Sequence, residues 1–418
     1  MSKSRELLVL GGGMSGTVAA LAAAERGRKV RLLRKAPGAT ALSSGAFDLA
    51  PGAWADTASK QPAPLQARLE GLLKRLPAHP LSRIGAPDAG VLDEAFRFVV
   101  AKLGAAGLEH APFDAAGPGH LVVDGRGGMR RVASAQASQV LGDIDPSGVR
   151  CAIVRCRPVA SGDTGLLRGR TGSFKEVEHV EIDWPKTNDA PFLLPVELGR
   201  MLDEREERGR FSDLLTAAVS RRGLDVVILP AMAGLHRPEL TKELSRATGC
   251  KVVEALGGEA SLPGLRLHMA LQRCMEAAGV EIVTGTGRAG ELPVPDGDPV
   301  VLATGRFIGG GLERGDLLRE VTFDLPVHDG EGRLFEQQPE IITRRSALES
   351  HRLFRAGVRV DERLRPLALG DEPARDGLFA AGAVIGGHDP HSDLCGMGVA
   401  IVTGYLAGLQ AAEWEAGR

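Results

Sequence analysis

The sequence predicts an α/β protein built on a doubly wound, mainly parallel sheet. An apolar strand at residues 6–11 leads into the glycine turn GGGMSG, and a helix and a second strand follow directly. A third apolar strand ends in a small-residue turn at 300–305, and a strand, a glycine-rich loop and a long helix occupy residues 378–414. The Gly-x-Gly-x-x-Gly spacing in this setting is typical of a Rossmann-like fold that binds a phosphate-bearing cofactor.

The elements between these landmarks follow in order along the chain. Residues 17–26 are rich in Ala and Leu and predict the first helix, and residues 29–34 predict the second strand. A polar connection over 53–90 carries one helix, and residues 91–255 alternate short strands with helices. A helix that ends at Gly279 then leads back to the first sheet.

This order predicts two interleaved domains. We expect a discontinuous cofactor-binding domain at residues 1–90, 256–306 and 366–418. Residues 91–255 and 307–365 are expected to form an inserted α+β cap that carries the substrate.

Composition excludes several classes of function. The 51 basic and 53 acidic residues give a formal net charge of −2, which argues against a nucleic-acid partner. Five widely scattered cysteines argue against a disulfide framework and favour a reducing cytoplasm. Cys151 and Cys156 have no third ligand close in sequence, so no metal site is predicted. Glycines interrupt the uncharged stretches 7–24 and 394–412, so we expect no transmembrane helix.

The glycines of the first turn are expected to have separate roles. Gly11 permits the tight turn, Gly13 lets the backbone approach a phosphate, and Gly16 lets the helix pack on the strand. About 20 residues after such a turn a dinucleotide site usually has Asp or Glu, but here Arg34 stands at that place.

Six further motifs identify a family resemblance. They are SSGAFDL (43–49), SLPGLRL (261–267), ATGRFIGGGL (303–312), GVRVDERLRPL (357–367), AAGAVIGGHDP (380–390) and CGMGVA (395–400). With them, the sequence resembles the B subunits of anaerobic glycerol-3-phosphate dehydrogenases. These belong to a class of FAD-dependent oxidoreductases that also contains the fumarate reductase flavoprotein subunits. The resemblance implies a flavin-binding domain of the Rossmann-like type.

The resemblance also implies an activity and partners. The expected reaction is flavin-dependent oxidation of sn-glycerol 3-phosphate to dihydroxyacetone phosphate, in a quinone-linked anaerobic dehydrogenase. A second flavoprotein subunit and an iron–sulfur, membrane-associated subunit are the implied partners. The chain is then cytoplasmic and held at the inner face of the membrane by those subunits. Two alternatives stay open: a non-catalytic flavin subunit that relays electrons, and a stand-alone flavin-dependent oxidoreductase acting on another small acid.

The identity of the flavin depends on Arg34. The family is associated with FMN, which ends at one phosphate and has no adenosine ribose for a carboxylate to bind. FMN is therefore the predicted cofactor, with Arg34 expected to lie away from it. FAD with its ribose held by backbone groups is the alternative, and a 2′-phosphate of NADP facing Arg34 is a third interpretation.

The predicted cofactor-binding residues come from four turns and from the start of the terminal helix. Small residues let the flavin approach the backbone, and a helix N-terminus provides positive potential for the reduced ring. The set comprises Gly11, Gly13, Met14, Ser15, Gly16, Ser43, Ser44, Gly45, Thr304, Gly305, Gly382, Gly396, Met397 and Gly398.

Three residues are predicted to carry the chemistry. Alcohol oxidation needs a base for the hydroxyl proton, and His388 and His391 flank the flavin-binding loop. Arg306 follows the Ala-Thr-Gly turn and is expected either to hold the phosphate of a small phosphorylated substrate or to anchor the cap.

Overall fold

The computed structural model describes most of the chain. The described residues are 6–51, 62–85, 87–124, 128–157, 174–184, 193–258, 260–285, 297–315, 317–335, 343–346, 349 and 351–415.

Helices and strands alternate through the described residues. The helices are α1 (Met14–Glu25), α2 (Leu65–Arg75), α3 (Pro80–Arg83), α4 (Ala89–Ala105), α5 (Pro195–Asp203), α6 (Arg205–Val219), α7 (Leu240–Thr248), α8 (Leu262–Ala277) and α9 (Gly396–Glu413). The strands are β1 (Leu7–Leu10), β2 (Val30–Arg34), β3 (His120–Val123), β4 (Met129–Val132), β5 (Arg150–Arg157), β6 (Glu176–Asp183), β7 (Val226–Leu229), β8 (Lys251–Glu254), β9 (Glu281–Thr284), β10 (Val300–Leu302), β11 (Leu312–Arg314), β12 (Leu318–Glu320), β13 (Val327–His328), β14 (Gly357–Val358) and β15 (Leu378–Ala380).

The first sheet has five parallel strands in the order β15-β10-β1-β2-β9. From β1 the chain winds outward through β2 to β9 on one side, then returns to β10 and β15 on the other. Parallel strands end at the same edge, so the turns after β1, β10 and β15 meet at the crevice where the winding changes direction. The predicted doubly wound α/β class is confirmed.

Helices α1 and α9 pack on this sheet and lie in close contact with each other. A Cβ at Gly404 would lie 2.5 Å from the carbonyl oxygen of Ser15, and one at Gly408 would lie 2.4 Å from that of Ala19. Glycines spaced by one helical turn therefore let the backbones of the two helices touch. This contact places the middle of α9 against the start of α1.

The inserted region is built around a second parallel sheet, in the order β6-β5-β7-β8. Helices α5, α6 and α7 pack on it through a separate apolar core around Trp184, Phe211 and Leu215. Antiparallel pairs β3-β4, β11-β12 and β13-β14 form three further two-stranded sheets. The regular parallel sheet was not anticipated in the α+β cap expected from sequence, because the segments around β6 are polar on the exposed face.

Candidate cofactor and active site

The glycine turn between β1 and α1 is open at Gly13 and closed at its other two motif glycines. Gly11 has φ +115°, and a Cβ there would lie 2.1 Å from the carbonyl oxygen of Ala303. A Cβ at Gly16 would lie 1.9 Å from the carbonyl oxygen of Gly11. At Gly13 a Cβ would meet only Thr40 Oγ1, at 3.6 Å, which is ordinary contact. Packing alone therefore requires two of the glycines, while Gly13 leaves the backbone accessible where the helix begins.

Met14 and Ser15 at the start of α1 make contacts within the protein. The Met14 N–H donates to Thr40 Oγ1 at 2.8 Å, and Ser15 Oγ donates to the carbonyl oxygen of Ala381 at 3.3 Å. A Cβ at Gly382 would lie 2.2 Å from Ser15 Oγ, and Gly382 has φ +73°. Ser15 thus joins the glycine turn to the turn after β15.

Arg34, the last residue of β2, lies against the glycine turn. A Cβ at Gly12 would lie 2.6 Å from Arg34 Cδ, so the side chain covers that part of the turn. Arg34 Nη2 donates to Gln272 Oε1 at 3.1 Å. The structure thus places Arg34 against the glycine turn, and its position relative to the bound flavin stays a prediction.

The Ser-Ser-Gly segment is held from the side that faces the second sheet. Ser43 O accepts a hydrogen bond from Ser261 Oγ, the N-cap of α8. Ser44 O accepts from Gln139 Nε2 at 2.9 Å and from the Gly257 N–H at 3.0 Å. With both carbonyls engaged there, Ser43 Oγ is buried and has no hydrogen-bond partner among the described residues.

Asp48 joins this segment to a hairpin and to α9. Its carboxylate accepts hydrogen bonds from both terminal nitrogens of Arg130, with Nη2 at 3.2 Å from Oδ2. Its carbonyl oxygen accepts the N–H of Gly398 at 2.7 Å, and a Cβ at Gly398 would lie 2.7 Å from Leu49 Cδ1. The Gly398 N–H is therefore satisfied within the protein.

Gly396 and Met397 occupy the first turn of α9. A Cβ at Gly396 would lie 2.9 Å from Pro390 Cβ, and Met397 packs against the apolar cluster that contains Leu49. Leu394 precedes this turn with φ +45°, a conformation that costs energy for a side chain of that size.

Unpartnered polar atoms line the turns that meet at the crevice. The Thr304 hydroxyl is buried without a hydrogen-bond partner among the described residues, as is that of Ser43. Gly305 follows with φ +73°, and Gly45 has φ +87°. Buried hydroxyls without partners, beside the accessible backbone at Gly13, fit a cofactor that carries a phosphate and several polar atoms.

Arg306 and His388 form a buried pair. Arg306 Nη2 lies 3.2 Å from His388 Nδ1 and donates to the carbonyl oxygens of His388 at 2.9 Å and Ile385 at 3.2 Å; Nη1 donates to that of Phe354. Burial lowers the pKa of Arg306 to about 10. Burial, and after it the charge of Arg306, hold the pKa of His388 well below its ordinary value. Among the described residues, the hydrogen-bond partners of the Arg306 cation are therefore all uncharged. The cation lies beside the neutral imidazole of His388.

A second buried histidine extends this cluster. His79 Nε2 lies 3.4 Å from Cys395 Sγ, and its ring centroid is 5.8 Å from that of His388. Burial, followed by the charge of Arg355, lowers the pKa of His79 to about 3, and burial raises the pKa of Cys395 well above its ordinary value. Both groups are uncharged, so Cys395 is no thiolate nucleophile.

His391 lies at the exposed rim of the same loop. Its ring centroid is 5.5 Å from that of Phe354, whose carbonyl binds Arg306. The Asp389 carboxylate accepts the His391 N–H at 2.9 Å, and Asp393 accepts the Asp389 N–H at 2.8 Å. The structure thus groups the three predicted catalytic residues around one loop, two of them buried and one accessible.

A buried ion pair between the two sheets was missed by the sequence reasoning. Glu254, which ends β8, is fully buried and accepts both terminal nitrogens of Arg266 on α8. Ser138 Oγ donates to Glu254 at 2.6 Å, and Arg266 Nη1 also donates to Gln136 Oε1 at 3.2 Å. A carboxylate at the end of an apolar strand and an arginine in an apolar helix face were the available signals.

Sequence comparison assigns the chain to a family. The profile described as FAD binding domain matches residues 6–161 and 298–399, more than half of the chain. The chain belongs to this FAD binding domain family, and its cofactor is a flavin.

Relatives match the chain over nearly its whole length. The B subunit of the anaerobic glycerol-3-phosphate dehydrogenase of Pectobacterium atrosepticum is 27% identical, covering 98% of this chain and 97% of the relative. The probable B subunit of the corresponding enzyme of Halobacterium salinarum is 28% identical and covers 99% of each chain. The resemblance predicted from the motifs is confirmed.

Looser likeness extends to solved structures. A 3-ketosteroid-Δ4-(5α)-dehydrogenase from Rhodococcus jostii has a TM-score of 0.36 at 14% identity, over 98% of this chain and 97% of that one. A flavocytochrome c3 fumarate reductase has a TM-score of 0.33 at 14% identity, over 99% and 78%.

Membrane spans and metal clusters are both missing from the described residues. None of their helices is both long and apolar enough to span a bilayer. No group of three or more His, Cys, Asp or Glu side chains in the described ranges is arranged to hold a metal ion.

Proposed function

We propose that the chain is the flavin subunit that oxidises sn-glycerol 3-phosphate to dihydroxyacetone phosphate, with FMN as its cofactor. The glycerol-3-phosphate dehydrogenase activity is taken from the names of the near-full-length relatives. The structural observation that carries it is Arg306, a buried cation whose described hydrogen-bond acceptors are all uncharged. A cation with no carboxylate among these acceptors is suited to hold an anionic substrate group.

The bound flavin supplies a hydride acceptor. The backbone at Gly13, with the hydroxyls of Ser43 and Thr304, holds it. Arg306 faces the substrate phosphate, and His388 donates a hydrogen bond to the substrate oxygen. Exposed His391 accepts the hydroxyl proton. Electrons leave the chain to a second flavoprotein subunit and an iron–sulfur, membrane-associated subunit, which keep it at the inner membrane face.

A second candidate is an electron relay without substrate chemistry. Phe307 and Ile308 directly follow Arg306 and are 39% and 71% exposed. An apolar tip beside the cofactor turn favours docking of a partner protein.

Anaerobic mixing of the flavin-loaded chain with sn-glycerol 3-phosphate tests the proposal. We expect bleaching of the flavin absorbance by this substrate and none by glycerol, which lacks the phosphate. If the substrate leaves the flavin oxidised while dithionite reduces it, the catalytic proposal fails. Restoration of bleaching by the partner flavoprotein subunit would then assign the relay function.

A further inference from the structure

The residue at the end of β2 sets how far a nucleotide can extend from the glycine turn. In dinucleotide sites an Asp or Glu at this place accepts the hydrogens of the ribose hydroxyls. Arg34 stands there instead, and a guanidinium has donors only. The chain nevertheless belongs to a family described as FAD binding, whose dinucleotide includes an adenosine ribose.

The side chain of Arg34 is fixed over the turn. Its stem covers Gly12, and Nη2 donates to Gln272 Oε1 at 3.1 Å. Gln272 Nε2 in turn donates to Glu276 Oε1 at 2.9 Å, which orients the amide. The chain of contacts along α8 therefore holds the guanidinium beside the turn rather than in solvent.

One arm of this guanidinium has no acceptor. Arg34 Nη1 is buried and has no hydrogen-bond partner among the described residues. His268, one helical turn before Gln272, is also buried. Burial first, and the charge of Arg34 second, lower the pKa of His268. A buried charged donor without a partner is costly, and an anion placed at the turn would remove that cost.

We propose that Arg34, held by Gln272, ends the cofactor site at the first phosphate and so selects FMN over FAD. The proposal rests on the flavin site described above. The terminal phosphate of FMN is a dianion, which the free Nη1 arm can bind. The stem over Gly12 and the absence of an acceptor in the guanidinium disfavour an adenosine ribose at the same place.

The test compares the dissociation constants of FMN and FAD for the apoprotein, measured by quenching of flavin fluorescence. The wild-type chain is expected to bind FMN at least about tenfold more tightly than FAD. Arg34→Glu should weaken the binding of FMN and tighten the binding of FAD. The ratio of the two dissociation constants should therefore shift by about tenfold or more. Lys35→Glu, the same charge change at the exposed neighbouring residue, should leave the ratio within about twofold.

Arg34→Met separates the effect of the charge of Arg34 from the effect of its side-chain stem, because methionine keeps an apolar stem and has no charge. It should lose FMN affinity without gaining FAD affinity. If Arg34→Glu does not fold, this variant carries the test alone. Equal wild-type affinity for both flavins, or equal effects of the Arg34 substitutions on both, would overturn the proposal. The measurement needs no substrate, so its failure is distinguishable from failure of the glycerol-3-phosphate reaction.

Discussion

Arg306 Nη2 faces His388 Nδ1 at 3.2 Å in the buried part of the loop after β15. A guanidinium can only donate, so Nδ1 is the acceptor and the hydrogen of the neutral imidazole lies on Nε2. With its pKa held well below the ordinary value by burial, His388 stays neutral. Such a ring offers a substrate oxygen a hydrogen bond and has no free lone pair to act as base.

The two predicted histidines should therefore differ in effect when they are replaced. His391→Asn removes the proposed base and is expected to slow substrate-driven flavin reduction by about 100-fold or more. His388→Gln removes a neutral hydrogen bond to the substrate and should cost about tenfold. Stopped-flow absorbance under anaerobic conditions measures both rates. A larger loss in His388→Gln than in His391→Asn would reverse the assignment.

Substitution at two glycines of the same turn separates cofactor binding from packing. Gly13→Val should abolish flavin binding and leave the melting temperature of the apoprotein close to wild type, because a Cβ there meets only Thr40 Oγ1. Gly16→Ala places a Cβ against the carbonyl oxygen of Gly11 and should destabilise the fold by about 1–3 kcal/mol. Flavin fluorescence and thermal unfolding report the two effects. Unchanged flavin affinity in Gly13→Val would show that the turn is structural only.

Local sequence pattern predicted the centre of the first sheet because β1, β10 and β15 are short apolar runs followed by glycine or alanine. Strand β2 was predicted within one residue of its observed bounds. Periodicity says nothing of which surfaces meet, so the contact of Gly404 with Ser15 was not foreseen. The same holds for the pair of Asp48 with Arg130, which lie 82 residues apart in sequence.

The parts of the site that sequence missed depend on long-range contacts. Glu254 and Arg266 carry opposite charges 12 residues apart, but only the packing of α8 against the second sheet brings them together. Arg306 was predicted either to hold a substrate or to anchor the cap, and the structure shows it binding the carbonyl of Phe354. That contact lies 48 residues away in sequence, which explains why no local motif revealed it.

Buried neutral histidines should make the protein less stable in acid. Burial lowers the pKa of His79 and of His110 from 6.5 to about 3 in the folded chain. Below pH 6.5 the unfolded chain binds these protons and the folded chain does not, so stability falls as pH decreases toward 3. Each histidine contributes about 1.4 kcal/mol per pH unit in this window.

Denaturant unfolding between about pH 7 and about pH 5 measures this slope. His110→Asn should reduce the slope by about 1.4 kcal/mol per pH unit, since one buried titrating group is removed. His236→Asn, at an exposed position, serves as the matched control. An unchanged slope in His110→Asn would mean that His110 becomes protonated without unfolding.

The Glu254–Arg266 pair offers a test of how the second sheet supports the Ser-Ser-Gly segment at residues 43–45. Both side chains are at most 2% exposed, so removal of one partner leaves a buried charge. Glu254→Gln, or Arg266→Met alone, should lower the free energy of unfolding by about 3–5 kcal/mol. The double variant should lose less than the sum of the two, because neither charge remains. Glu109→Gln, which breaks the exposed pair with Lys242, should have little effect.

The same variants should weaken flavin binding, because Gln136 joins Arg266 to the N-terminus of α8 through the carbonyl of Pro263, at 2.7 Å. Ser261, at that helix end, holds Ser43. Loss of the ion pair frees this helix end and with it the Ser43 hydroxyl. Flavin affinity measured at a temperature where each variant is still folded should therefore fall in Arg266→Met and stay unchanged in Glu109→Gln. Wild-type flavin affinity in a folded Arg266→Met protein would show that the pair stabilises the fold without positioning the Ser-Ser-Gly segment at residues 43–45.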